Sequence, residues 1–370
     1  MTLQYRAAVL HAAQTPLSIE TVTAAALRPT DVLVRIRAAG LCHTDLEVID
    51  GSLRYPMPIV LGHEAAGVVE QVGPAARGVK TGDHVVLSWN PHCGHCFYCD
   101  RDSPILCEEY LGGGPKGRAF DGESRAMLAD GRDLQQLMFL GCFSEYCIVS
   151  DQQAIPVPRE IPFDRACLIG CGVMTGAGAA LNLGAIAHGD SVMVIGCGAV
   201  GLAAVQGALL AGAGTIIAVD LDAAKLALAA RMGATHGVNA STDDVIAAGK
   251  RETAGRGVDV VIESAGSALA FRNTTEAVRP GGQVIWLGKI DVNKDVSFRW
   301  GSLMQEKRIR RVSYGNARPR RDFPLLARAY LDGTLMLDEL ISRRITLDGI
   351  NDGFDALKRG EAIRSVITFD

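Results

Sequence analysis

Four cysteines at positions 93, 96, 99 and 107 follow the spacing C-x2-C-x2-C-x7-C, in the most cysteine-dense stretch of the chain. Four thiolates gathered by tight turns suit a closed tetrahedral zinc site, which shapes a loop without doing chemistry. A disulfide framework has no use for three cysteines at period three. Iron–sulfur ligation, which also takes clustered C-x2-C runs, is the rival reading. Pro91 and Gly94 supply the turns that a ligand knuckle wants.

Three further residues could hold a metal that reacts. Cys42 lies in Gly-Leu-Cys-His-Thr-Asp, His63 in Gly-His-Glu-Ala-Ala-Gly, and Cys171 in Gly-Cys-Gly. Two thiolates and one imidazole leave a fourth coordination position for water or an alcohol, as catalytic zinc requires. Separations this wide do not themselves bring the three together, and each is equally a core cysteine or a hydrogen-bonded histidine.

A third constellation suits a dinucleotide. Residues 192–195 (Val-Met-Val-Ile) read as a strand running into Gly196-Cys197-Gly198-Ala199-Val200-Gly201, a G-x-G-x-x-G turn that opens an apolar helix. The glycines let the backbone turn sharply and approach a pyrophosphate, which then sits at the helix N-terminus. Asp220 ends the next strand, where an acid hydrogen-bonds the ribose hydroxyls and repels a 2′-phosphate, which favours NAD over NADP. Lys225 follows on the next helix, beside that ribose or simply exposed.

The elements that must position these groups fall into two textures. At 370 residues the chain suggests two domains, on a prior of roughly 100–200 residues each. Up to about residue 160, short apolar runs such as 32–36, 67–72 and 83–87 alternate with Gly, Pro and Asp turns, a β-rich pattern. From about residue 172 strands (191–195, 215–220, 258–263, 283–287) alternate with helices (198–211, 222–232), which means βαβ units and a parallel sheet. After about residue 314 come helices near 323–332 and 350–359 and a terminal strand at 365–369. The layout is an irregular β-rich domain with an inserted parallel α/β domain.

Composition narrows the function classes. The chain has 48% hydrophobic and 21% charged residues and a net charge of −4, as in a soluble globular protein without a nucleic-acid partner. The basic run 307–321 reads as a solvated or cofactor-facing surface. All ten cysteines fall between Cys42 and Cys197, and without a secretory leader they imply a reducing, cytoplasmic compartment. The uncharged stretches 166–187 and 191–219 are long enough to raise membrane spans, but Gly, Ala and turn signals make them buried strand–helix units.

With these residues in view, the chain resembles the zinc-dependent medium-chain alcohol dehydrogenases over essentially its whole length. The C-H-T-D segment at 42–45, G-H-E at 62–64, the four-cysteine lobe, G-C-G-x-x-T-G at 170–176, the glycine turn and Gly-Glu-Ala-Ile-Arg at 360–364 stand in that family's order. The resemblance implies an α/β fold: a β-rich GroES-like catalytic domain (1–173 and 314–370) and a Rossmann coenzyme domain with a doubly wound parallel sheet (174–313).

It also implies NAD and two zinc ions per subunit. Cys42, His63 and Cys171 would bind the catalytic zinc, and Cys93, Cys96, Cys99 and Cys107 the structural one. Glu64 would sit behind the catalytic metal, and Asp45 would orient His63. Thr44 matches the hydroxyl that takes the substrate proton. His43 and Arg364 match pyrophosphate contacts, against the bland readings of a solvated histidine and a surface ion pair. Thr175 matches the residue behind the nicotinamide. Liver-type relatives end the proton relay with a histidine five residues after the first zinc ligand; here Glu47 stands there and would end the relay, or water does.

By family position Trp89, Phe139 and Leu140 would line the substrate channel, or belong to the core. Large apolar walls imply a primary alcohol, aromatic or allylic, or its aldehyde. The thiol-dependent formaldehyde branch shares C-H-T-D but carries an arginine just after the fourth structural cysteine, where Glu108, Glu109, Tyr110 and Leu111 stand here. The long segment 108–139 resembles the dimeric branch, which implies a homodimer. Two alternatives remain at this point: a thiol-adduct (S-hydroxymethyl) formaldehyde dehydrogenase, and a non-catalytic NAD-binding redox sensor.

Overall fold

The computed structural model describes residues 3–370. They form two compact units: residues 3–171, 318–333 and 337–370, and residues 172–317 with 334–336.

The first unit is built on the long strand Asp31–Gly40, whose alternate side chains Val32, Val34, Ile36 and Ala38 are buried. It pairs antiparallel with Ala65–Val72, Tyr146–Ser150 and Ser365–Thr368, so segments distant in sequence share one sheet. A second sheet closes into a barrel from Gln4–Leu10, Ser18–Ala24, Ala126–Met127, Asp133–Gln136 and Ile59–Val60, so each of these strands has a neighbour on both sides. The core of this unit gathers Leu10, Ile36, Leu41, Leu61, Leu87, Leu140 and Phe143, all essentially without solvent contact.

The second unit is a six-stranded parallel sheet in the spatial order His236–Asn239, Thr215–Asp220, Ser191–Ile195, Val258–Glu263, Val278–Trp286 and Arg308–Arg311. Numbered along the chain this is 3-2-1-4-5-6, the doubly wound order whose reversal lies between the strands Ser191–Ile195 and Val258–Glu263. Those two strands are buried along nearly their whole length, which explains their mainly apolar sequence.

The stretch from residue 166 departs from the strand–helix expectation. It is helical from Phe163 to Leu183, with two wider turns at Ile169–Val173 and Ala179–Leu183. Small residues favour this: a Cβ on Gly176 would lie 2.0 Å from the Val200 carbonyl oxygen, so only glycine lets Met174–Gly178 approach the helix Ala199–Leu210. The run is long and apolar enough to cross a bilayer, but most of it is buried within the protein.

Candidate active site

The helix His43–Asp50 starts directly after Cys42, whose own backbone is extended. Three residues into it, the fully buried Asp45 carboxylate collects three donors: Cys42 N at 3.1 Å, Gly62 N at 3.0 Å and His63 Nδ1 at 3.1 Å. One side chain thus fixes the helix start, the Gly62 turn and the imidazole ring. Gly62 has φ +94°, and a Cβ there would meet the Phe143 backbone nitrogen at 2.7 Å. Both facts require glycine.

This scaffold brings the sulfurs of Cys42 and Cys171 and a ring nitrogen of His63 within 4.8 Å of one another. Cys171 sits in the wide turn Ile169–Val173, a geometry frequent at functional sites. With Nδ1 donating to Asp45, Nε2 carries the free lone pair; it is buried and has no hydrogen-bond partner among the described residues. An orphaned imidazole nitrogen facing two sulfurs is the donor set of a zinc ion with one open position. The Cys171 hydrogen bond holds the Cys42 thiol well below its ordinary range, with the Arg364 charge assisting and burial opposing. Cys171 is correspondingly pushed well above it.

Glu64 is fully buried next to this cluster. Gly40 makes room for it, since a Cβ there would lie 2.7 Å from Glu64 Oε1. Arg364 Nε stands 3.4 Å from the same oxygen, and its other end lies 3.7 Å from Cys42 Sγ. At 3% exposure Arg364 is a buried cation beside the Cys42 sulfur, not part of a surface ion pair. His43 is exposed, and Thr44 and Glu47 are half-buried on the helix His43–Asp50.

Of the three expected channel residues, Leu140 is wholly inside the core, Phe139 is 4% exposed and Trp89 is half-buried. Phe139 has φ +61° and follows Met138 at φ +52°, two consecutive left-handed residues that set its ring. Sequence reasoning missed Tyr110 as part of this group. Its ring lies 6.1 Å from Trp89 and 5.6 Å from Phe139, and the Phe120 ring lies 5.3 Å from Phe139. Its position three residues after Cys107 was the available signal, because the cysteine lobe anchors the short helix Glu108–Gly113.

In that lobe the sulfurs of Cys93, Cys96, Cys99 and Cys107 all lie within 4.8 Å of one another. Backbone amides already point at them: Cys93 N donates to Cys107 Sγ at 3.3 Å and Glu108 N to Cys96 Sγ at 3.5 Å. The Glu108 amide pulls the Cys96 thiol down to about 6. All ten cysteines are free thiols.

In the second unit, the glycine turn lies at the carboxyl ends of the strands that flank the reversal of strand order, where open α/β sheets bind ligands. Gly196 has φ +94°, and a Cβ on Gly201 would fall 1.7 Å from the Gly196 carbonyl oxygen. The face of Gly198 is open, with no atom within 4 Å of a Cβ placed there, so a pyrophosphate has room to reach the backbone. Asp220 Oδ2 accepts from Cys197 N at 2.7 Å and Oδ1 from Asp222 N at 3.0 Å. A carboxylate keeps further lone pairs, so both oxygens can still accept from ribose hydroxyls. Lys225, half-buried on the helix Ala223–Arg231, places its charge near Cys197. Thr175 lies on Met174–Gly178, and Ala199 and Val200 open the helix Ala199–Leu210.

Comparison with known proteins gives the same picture. Residues 28–159 match the alcohol dehydrogenase GroES-like domain, and residues 199–331 match the zinc-binding dehydrogenase family. An NDMA-dependent alcohol dehydrogenase from Amycolatopsis methanolica is 38% identical over 99% of both chains. An S-(hydroxymethyl)glutathione dehydrogenase from Komagataella pastoris is 37% identical over 99% of this chain and 98% of its own. The crystal structure of benzyl alcohol dehydrogenase from Acinetobacter calcoaceticus superposes with a TM-score of 0.94 at 31% identity, over the full length of both chains.

Proposed function

The chain belongs to the zinc-dependent medium-chain alcohol dehydrogenase family, and from that premise we propose that it interconverts a primary, aromatic or allylic alcohol and its aldehyde with NAD. The observation that carries the reading is the Cys42–His63–Cys171 cluster with its orphaned imidazole nitrogen. These three residues would hold the catalytic zinc, and Cys93, Cys96, Cys99 and Cys107 a structural one. Zinc bound at the first site supplies Lewis acidity, which lowers the pKa of a hydroxyl and polarises a carbonyl, while NAD supplies the hydride acceptor.

The protein's own residues do the rest. Asp45 holds His63 in the tautomer that leaves Nε2 free to ligate. Arg364 keeps positive charge behind Cys42 and so favours its thiolate. Thr44 takes the hydroxyl proton from the alcohol, and Glu47 or water passes it to solvent. Glu64, paired with Arg364, keeps that cation buried beside the sulfurs. The Gly196–Gly201 turn would bind the pyrophosphate. Asp220 would take the adenosine ribose and reject a 2′-phosphate, with Lys225 beside it and Thr175 behind the nicotinamide. Trp89, Tyr110 and Phe139 form an aromatic group that suits a planar substrate.

Formation of NADH across benzylic, allylic, aliphatic and ω-hydroxy acid alcohols, with and without added thiols, tests this directly. Turnover of small secondary alcohols alone would overturn it. The second reading, oxidation of a thiol adduct, has support from the S-(hydroxymethyl)glutathione dehydrogenases at 37% identity; strict dependence on added thiol would establish it. A homodimer and a cytoplasmic location complete the proposal. A tetrameric mass by light scattering would refute the dimer.

A further inference from the structure

A second set of metal-ligating atoms lies on the outside of the four-cysteine lobe. The Cys93 sulfur, a His95 ring nitrogen and a Glu109 carboxylate oxygen are all within 4.8 Å of one another. The His95 and Glu109 side chains are 75% and 43% exposed, whereas Cys107 of the inner set has no solvent contact. Gly94, at φ +83°, makes the turn between Cys93 and His95, and a Cβ there would meet nothing within 4 Å, so this side of the turn is open. We propose that Cys93, His95 and Glu109 form an entry site through which a zinc-like divalent cation passes into the four-thiolate lobe. The proposal rests on reading Cys93, Cys96, Cys99 and Cys107 as a zinc site.

The argument is one of donor strength and sharing. One sulfur, one nitrogen and one carboxylate oxygen make a zinc-compatible set, but the borderline-soft zinc ion is held more firmly by the four thiolates behind it. A hydrated ion therefore docks at the exposed imidazole and carboxylate, losing some of its water. Cys93 belongs to both sets, so the ion moves inward around a ligand it already holds and is never fully released. The outer carboxylate gives up no proton. Each inner thiol that joins the ion loses one to water. Were His95 and Glu109 only an exposed ion pair at 3.5 Å, removing either would change little.

The test is exchange of zinc for cadmium in the intact holoenzyme. Zinc loss after addition of excess 113Cd2+ is followed by elemental analysis of desalted aliquots taken over time, and the site exchanged is read by 113Cd NMR, which separates a four-sulfur site from a two-sulfur one. His95→Gln and Glu109→Gln should each slow exchange at the four-sulfur site about tenfold, the scale of losing one supporting ligand. The double variant should slow it further, with the same final four-sulfur signal. Unchanged rates would overturn the proposal, as would equal slowing by Asp130→Asn, which removes an exposed carboxylate elsewhere. A reduced final signal would overturn it too, because the outer residues would then belong to the inner site. Absence of any four-sulfur signal in the unmodified enzyme would instead bring down the reading of the lobe itself.

Discussion

Asp45 carries more of the candidate site than any other single side chain outside the ligands. A carboxylate can accept from Cys42 N, Gly62 N and His63 Nδ1 together, whereas an amide must turn its NH2 toward one of these donors. Asp45→Asn should therefore cost about 10–100-fold in zinc affinity or kcat/KM, as loss of a partner behind a ligating histidine does. Metal analysis beside steady-state kinetics checks it. Glu263 makes a different point in the second unit. Burial pushes its carboxyl up to about 6 against the opposing amides of Gly266, Ala265 and Gly288. One oxygen accepts from Gly266 N at 2.6 Å. The native state then binds more protons than the unfolded chain between the ordinary value of 4.5 and about 6. This group's stabilising contribution is complete below 4.5 and lost as pH rises through about 6. Glu263→Gln cannot ionise, so its stability relative to wild type should improve by about 2 kcal/mol across that window. Urea midpoints at pH 4.5 and 7.5 measure the difference.

At the scale of elements, the tie between the loop at 121–125 and the strand Asp31–Gly40 is a buried ion pair. Arg125 Nε lies 2.7 Å from Asp31 Oδ2, both side chains almost without exposure, and Asp121 adds a second partner at 2.9 Å. Arg125→Ala would strand the Asp31 charge, and such a loss costs about 3–5 kcal/mol. A fall in the denaturant midpoint far beyond that of Arg132→Ala, whose pair is exposed, is the expected result. Elements of this kind mark the limit of what was legible in the sequence. The strands Ser191–Ile195, Thr215–Asp220 and Val258–Glu263 were legible because burial on both faces makes them mainly apolar, with three or more apolar residues in a row. Arg308–Arg311 was not: as the edge strand of the sheet it carries charges, and it read as a basic surface run. His236–Asn239 has only one buried residue, and the barrel strands Ile59–Val60 and Ala126–Met127 are too short to show a period. The motifs around Cys42, His63 and the glycine turn were visible as local strings. The Tyr110–Phe139 contact and the Asp31–Arg125 pair are products of tertiary folding between distant residues, which no local pattern encodes.

For the whole molecule, all three candidate metal clusters lie in the first unit, and none of the ten cysteines is tied up in a disulfide. Metal should then be a substantial part of that unit's stability, since an ion bound only by the native state adds RT ln(1 + [L]/Kd), about 4 kcal/mol at a thousandfold excess over Kd. Stripping with a strong chelator should lower the thermal midpoint, and restoring zinc should recover it; calorimetry with and without the chelator reads this out. The antiparallel pairing of Ser365–Thr368 with Asp31–Gly40 reaches further than stability. A ribosome releases the strand at 31–40 long before its partner exists, and the whole of 172–317 emerges in between. The strand can pair with Ala65–Val72 and Tyr146–Ser150 as these emerge, but its stretch at 38–40 stays open on one side until residues 365–368 are made.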